Sequence, residues 1–120
     1  MPLSSESEVL EQVRRLKNAG HYAEIAHLLT RYSEEPILRG LLECLGRIPE
    51  DFPREPLLRL LHQPNPAIRI LAVKNLAKLK DLSLRLRLFQ VARADKDSFV
   101  RREAVSALGR MRQPEVVPLL

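Results

Sequence analysis

The sequence predicts an all-α protein, a right-handed α-solenoid of antiparallel helix pairs with seven helices plus a truncated eighth. Leu and Ala dominate its hydrophobic residues, and only two Tyr and three Phe supply aromatic rings. β-Branched residues do not form alternating runs, so helices are favoured over a sheet. Apolar residues instead recur at helical spacing, and the pattern of helices repeats every 31–32 residues along the chain.

Capping and turn residues divide the chain into these helices. Gly20 follows the first helix, because glycine is the usual residue just past a helix end. Ser33, Asn65, Asp81 and Asp97 are expected to cap the helices that follow them. Three prolines between residues 49 and 56 mark the longest interruption. The predicted helices lie at about 5–18, 22–32, 34–48, 55–63, 66–80, 82–94 and 98–111, and the eighth begins at 114.

The same buried positions recur from one helix pair to the next. Ile68 and Val100 are 32 residues apart, as are Ala72 and Ala104, and Ile37 precedes Ile68 by 31. One pair cannot bury its apolar face alone, so stacked pairs supply a shared core. We therefore expect one domain, with a capping helix at 1–20, repeats at 21–48, 49–80 and 81–112, and a truncated fourth repeat at 113–120.

The last predicted helix would lack a partner helix. Val116, Leu119 and Leu120 would then be incompletely covered, and exposed apolar surface of this kind promotes association. The sequence therefore predicts either self-association through this end or fraying of residues 113–120. It also predicts that the chain is the N-terminal part of a longer protein, which leaves open a catalytic domain beyond residue 120.

Two segments resemble a known helical repeat. Residues 66–76 and 98–109 each follow a turn with Asn or Asp, and each contains an apolar residue before Arg, then Ala, then Leu. They resemble the second helix of HEAT repeats, in particular the short bacterial form of phycobilisome-lyase-like proteins. The resemblance implies a non-enzymatic scaffold with protein partners. It also implies a less favoured alternative, a subunit of a bilin lyase-like complex.

Candidate catalytic and metal-binding residues are few. Cys44 falls on the apolar stripe of the third helix, which predicts a buried structural thiol rather than a nucleophile. The three histidines, His21, His27 and His62, have no metal-ligand spacing with one another or with carboxylates. Arg69 and Arg101 share one repeat position and are expected to pair with the turns of neighbouring repeats. The sequence thus predicts no enzyme, no cofactor and no metal site.

A column of basic residues supports a second function. Residues 1–56 carry 7 Lys or Arg and 10 Asp or Glu, a net charge of −3, whereas residues 57–120 carry 13 and 5, a net charge of +8. Cations at helix ends can simply complement helix dipoles. Alternatively, they form a basic concave face for nucleic acid, as in a targeting module of a larger DNA- or RNA-processing protein. The candidate residues are Arg47, Lys74, Lys78, Arg102 and Arg110.

The expected setting is the cytoplasm. The first residues lack the basic and apolar regions of a secretory signal, and no apolar run approaches the roughly 18 residues of a membrane span. A single cysteine fits a reducing compartment. The sequence therefore predicts a cytoplasmic protein with a protein partner, no membrane partner and nucleic acid as the alternative ligand.

Overall fold

The computed structural model describes residues 6–111, and seven α-helices and one 3₁₀ turn form this part of the chain. The predicted all-α class is confirmed, since the described residues contain no strand. The handedness of the superhelix and the division into repeats stay predictions, and the eighth helix lies outside the described residues. The helices are α1 (Glu6–Asn18), α2 (Tyr22–Arg31), α3 (Glu35–Cys44), α4 (Glu55–Leu60), α5 (Pro66–Lys78), α6 (Arg85–Ala94) and α7 (Ser98–Met111), with the 3₁₀ turn Leu82–Leu84 before α6.

The helices form two layers. In one layer α1, α3, α5 and α7 pack side by side in that order. In the other, α2 packs against α4, while α4 and α6 lie on α5 and α7 respectively. The described part measures 54 × 31 × 17 Å, as a short stack of helix pairs should.

The buried positions follow the predicted repeat. Ile37, Ile68 and Val100 are 8%, 0% and 0% exposed, so the expected equivalence of these three side chains is confirmed. Ala72 and Ala104 are fully buried. Small residues of this kind allow two neighbouring helices to approach closely. The loop between α3 and α4 contributes Phe52, which is also fully buried and contacts Tyr22 edge-to-face.

Side-chain caps begin several helices where the sequence predicts them. The Asn65 carboxamide oxygen accepts a hydrogen bond from the Ala67 backbone N–H at 2.8 Å. Asp97 accepts from the N–H groups of Phe99 and Val100, which satisfies two donors at the start of α7. The expected Ser33 cap is wrong, because α3 begins after Glu34 and neither residue forms a side-chain cap bond there.

Several helices end earlier than their apolar pattern suggests. α3 ends at Cys44 rather than near 48, because Gly46 adopts a positive φ of 53° that no longer continues the helix. α5 ends at Lys78, and Lys80 likewise has a φ of 53°. Ile48 is nevertheless buried at 7% exposure, so the buried pattern continues past the end of the helix.

Candidate interaction surface

Two arginine–aspartate pairs join successive helix pairs. Arg69 of α5 is 8% exposed and donates from Nε and Nη2 to both carboxylate oxygens of Asp95, at 2.9 and 3.0 Å. Arg54, just before α4, donates from Nε to Asp81 at 2.9 Å. In each pair the acid lies in a turn of the next helix pair. The Arg69–Asp95 pair is bidentate, which fixes both the distance and the orientation of the two groups, whereas Arg54 makes a single hydrogen bond to Asp81.

The expectation that Arg69 pairs with the turn of a neighbouring repeat is confirmed, whereas for Arg101 it is wrong, because this side chain reaches the turn of its own repeat. The Arg69 Nη1 atom also donates to the carbonyl oxygens of Gln63 and Pro64 in its own turn. Arg101 donates from Nη1 to the carbonyl of Asp95 at 2.6 Å. Burial raises the pKa of Asp95, but hydrogen bonds from Arg69 and from the Asp97 backbone N–H outweigh it, and the pKa is lowered overall.

The end of α3 is held by side chains from both neighbouring helices. Lys17 of α1 donates to the Cys44 carbonyl at 3.1 Å, and Lys78 of α5 donates to the Gly46 carbonyl. Asn75, which is 2% exposed, donates to the Leu42 carbonyl at 3.3 Å. These donors act where a helix has unpaired carbonyls and a partial negative charge. Sequence reasoning missed this role of Asn75, although an Asn within a buried helix face was a usable signal.

The five predicted nucleic-acid residues do not form one set of free cations. Burial, and secondly repulsion from Lys17, lowers the pKa of Lys78, whose ammonium also donates to the Asn75 side chain. Arg110 donates to Glu103 at 3.0 Å and to Ser106 at 3.2 Å, all within α7. All five residues are exposed. Among residues 6–111, no hydrogen bond or ion pair holds the side chains of the other three, although the Arg102 guanidinium lies over the Phe99 ring at 5.7 Å. These three are Arg47, Lys74 and Arg102.

Cys44 differs from its prediction. Its side chain is half-buried rather than buried, because α3 ends at this residue and the thiol lies beside a small cavity between α1 and α3. Val13 and Lys17 also line that cavity, whose volume is about 130 Å³. Within residues 6–111, no three His, Cys, Asp or Glu side chains are arranged to hold a metal ion.

A larger cavity, of about 360 Å³, lies open to solvent where α4 and α6 end. His62, Arg69, Asp95 and Lys96 line it. The buried ion pair is part of this lining, and the Asp95 carboxylate already accepts two hydrogen bonds from Arg69, so this acid is held in a structural contact. The cavity lies between the turn after α4 and the turn after α6.

Exposed apolar side chains gather on the last two described helices. Leu86 is 70% exposed, Phe89 53%, Phe99 63% and Val105 60%. Leu82 is 41% exposed, and its spacing from Leu86 and Phe89 places these three along one stripe of the 3₁₀ turn and α6. Large exposed apolar side chains grouped in this way mark surfaces that bind other molecules.

Comparison with known proteins gives one match. The family model described as HEAT repeats matches residues 54–120, which is more than half of the chain. The match covers both arginine–aspartate pairs and the whole exposed stripe. The searches of curated proteins and of solved structures returned no match. None of the helices within the described range is long and apolar enough to cross a membrane.

Proposed function

Since the chain belongs to the HEAT-repeat family, we propose that it is a non-enzymatic scaffold that binds other proteins through its helix stack. Proteins of this family are typically not catalysts. Solenoids present extended surfaces, and their stacked repeats place side chains at regular intervals along them. The cytoplasmic location and the bilin lyase-like alternative stay predictions.

The exposed stripe Leu82, Leu86 and Phe89 carries this proposal. Protein interfaces have apolar and aromatic centres surrounded by polar groups, with arginine enriched. The stripe has that composition, because Arg93 lies exposed on the same side of α6. A partner that covers these apolar side chains would remove them from water, at a gain of roughly 25 cal/mol for each Å² of apolar surface buried.

A photo-crosslinking amino acid at position 86 tests the proposal. We expect a specific protein adduct that is absent when the crosslinker replaces Gln90, which lies on the same helix facing the cavity next to α4. The partner identified by mass spectrometry should bind the purified chain, and Leu86→Asp with Phe89→Asp should weaken that binding at least tenfold. Gln90→Asp adds one negative charge to the same helix and should change the affinity less than twofold. Equal adducts at both positions, or equal affinities, would contradict the proposal.

A specific observation also keeps the nucleic-acid alternative open. Lys74 and Arg102 are exposed on the neighbouring helices α5 and α7, and the acceptors that hold Lys78 and Arg110 do not engage them. Exposed cations on neighbouring helices can contact the phosphates of a nucleic acid without reading its bases. The scaffold is favoured because fewer of the five cations are free than the sequence predicts.

A further inference from the structure

Helices α4 and α6 lie in the same layer but leave an open groove between them. In this layer α2 packs against α4, whereas α4 and α6 scarcely touch. Two cavities occupy the space, one of about 360 Å³ at the turns and one of about 280 Å³ along α6. Leu61, His62, Ala94 and Asp95 line both cavities, which therefore form one continuous groove, here termed the α4–α6 groove.

The α4–α6 groove lies within the stack of helix pairs rather than at its end. Both of its walls belong to the described part of the chain, because the groove is bounded by α4 on one side and by α6 on the other. Gln90 lines it, whereas by helical geometry Phe89 lies on a different side of α6. The groove is therefore open to solvent and separate from the exposed stripe of α6.

The middle of the α4–α6 groove is apolar. Leu61 is 7% exposed and belongs to the core, while Val91 is half-buried. Ala94, the last residue of α6, is exposed, and its small side chain leaves room above it. An aliphatic chain lying here would cover these apolar side chains and remove them from water.

A cation lies at each end of the α4–α6 groove. Arg87, in the first turn of α6, lines the cavity along the helix, and Lys96, in the turn after α6, lines the other cavity. From Arg87 to Ala94 the helix rises by about 10 Å, and Lys96 lies two residues further along the chain. Both cations are exposed, and within residues 6–111 no hydrogen bond or ion pair holds either of them. Two available positive charges thus stand at opposite ends of the apolar middle.

The negative groups around the groove already have partners. Asp95 is the one acid in the lining, and its carboxylate accepts two hydrogen bonds from Arg69. Arg69 also donates to two carbonyls in the turn after α4, and Arg101 donates to the Asp95 carbonyl. These bonds offset the partial negative charge that helix ends carry. Because the ion pair cancels, the two end cations leave the lining with a net charge of +2 when His62 is neutral.

We propose that the α4–α6 groove binds a small linear molecule with a carboxylate at each end and an aliphatic middle. One carboxylate pairs with the Arg87 guanidinium and the other with the Lys96 ammonium, while the chain lies against Leu61, Val91 and Ala94. A dianion matches the net charge of the lining, and the larger cavity has the size of a small-ligand site. This site is independent of the protein-binding stripe proposed above.

Decanedioate serves as the probe, because its extended chain places two carboxylates far enough apart to reach both cations. Isothermal titration calorimetry of the intact chain should show saturable binding. Monomethyl decanedioate keeps the length but loses one charge, and butanedioate keeps both charges but is too short to span the groove. Each should bind at least tenfold more weakly than decanedioate, because one charge-assisted contact is lost.

Nuclear magnetic resonance locates the bound molecule on the chain. Backbone amide shifts caused by decanedioate should fall in the turn after α4, in the turn after α6 and at the residues of α6 that line the groove. Shifts centred instead on Leu86 and Phe89 would mean that the aliphatic chain binds the exposed stripe, and the inference would be wrong.

Variants of the intact chain test each part of the groove. Arg87→Gln and Lys96→Gln should each weaken binding of decanedioate at least tenfold and abolish its preference over the monomethyl ester. Ala94→Phe fills the apolar middle without changing the charge and should abolish binding. All three side chains are exposed, so circular dichroism should be unchanged in these variants.

Two matched controls remove a cation that does not line the groove. Arg59→Gln alters an exposed residue of α4 and Arg93→Gln an exposed residue of α6, and each should change the affinity for decanedioate less than twofold. A tenfold loss in either control would show that only overall charge matters and would overturn the inference. Absence of saturable binding, or equal affinity for decanedioate and either of its two analogues, would overturn it as well.

Discussion

The Arg69 guanidinium and the Asp95 carboxylate form a bidentate ion pair between two helix pairs, with both side chains about nine-tenths removed from solvent. Arg69→Met removes one partner and leaves the other charge buried, so we expect a loss of about 3–5 kcal/mol in the free energy of unfolding. Chemical denaturation followed by circular dichroism measures it. Arg69→Met combined with Asp95→Leu should cost less than the sum of the two single changes, and strict additivity would mean that the pair is not coupled.

The same ion pair predicts acid sensitivity. Because the pKa of Asp95 in the folded chain lies below its usual value of 3.8, its stabilising contribution is fully present above the unfolded pKa. The contribution is lost as the pH falls through 3.8 towards the lower folded pKa. Between pH 5 and pH 2 the free energy of unfolding should therefore fall less steeply in Asp95→Asn than in the unaltered chain. Parallel pH profiles of the two would contradict this.

The close approach of α5 and α7 predicts a steric limit at Ala104. This residue is fully buried, so Ala104→Leu should overpack the contact and cost about 1–3 kcal/mol. Ser106→Leu adds a bulky side chain at an exposed position of the same helix and serves as the control. Its unfolding midpoint should be nearly unchanged. Equal midpoints for the two variants would show that the space beside Ala104 can expand.

Because Asn75 donates to a carbonyl near the end of α3, we expect its replacement to destabilise that end of the helix. Asn75→Ala removes the donor to the Leu42 carbonyl, and leaving this buried acceptor without its hydrogen bond should cost about 1–3 kcal/mol. Amide hydrogen exchange should accelerate first at the end of α3. Lys74→Ala, one position earlier on α5 but exposed, should change stability by under about 0.5 kcal/mol. Uniform acceleration along the whole chain would show that Asn75 has no specific role at the α3 end.

The sequence predicted the fold class and the buried positions because they depend on spacing alone. Ile68 and Val100 share a burial pattern that any stacked helix pair requires, and Asn65 and Asp97 are caps by short-range chemistry. The ends of α3 and α5 were less predictable, because they depend on the positive φ at Gly46 and at Lys80 rather than on apolar pattern.

The acceptors of the basic residues could not be predicted from spacing. Lys78 and Arg110 occupy the same repeat position, yet Lys78 reaches the Gly46 carbonyl of another helix and Arg110 reaches Glu103 of its own helix. Only three-dimensional packing decides which acceptor comes within reach of a long, flexible side chain. The repeat pattern alone therefore does not show which of these cations another group of the protein already holds.

The nucleic-acid alternative makes a separate prediction, at the exposed cations Lys74 and Arg102. Binding to duplex DNA would be independent of sequence and steeply dependent on salt, because each neutralised phosphate releases condensed counterions. Lys74→Glu with Arg102→Glu should abolish such binding and leave the helical signal intact, since both residues lie on the surface. Replacing either residue alone by Gln should reduce the salt slope by about one unit, because one phosphate is then no longer neutralised. Lys78 is unsuitable for this test, because its replacement also removes a donor to the end of α3.

Electrophoretic retardation and fluorescence anisotropy with a short DNA duplex, at salt concentrations from about 50 to 200 mM, provide the measurement, since binding of this kind weakens steeply over that range. Glu11→Gln is the control, because it removes a charge from α1, at the other end of the helix stack. If the double variant binds as tightly as the unaltered chain, Lys74 and Arg102 do not contact phosphates. If the unaltered chain fails to retard DNA at the lowest salt, the basic residues serve helix ends and ion pairs within the protein, as Lys78 and Arg110 do.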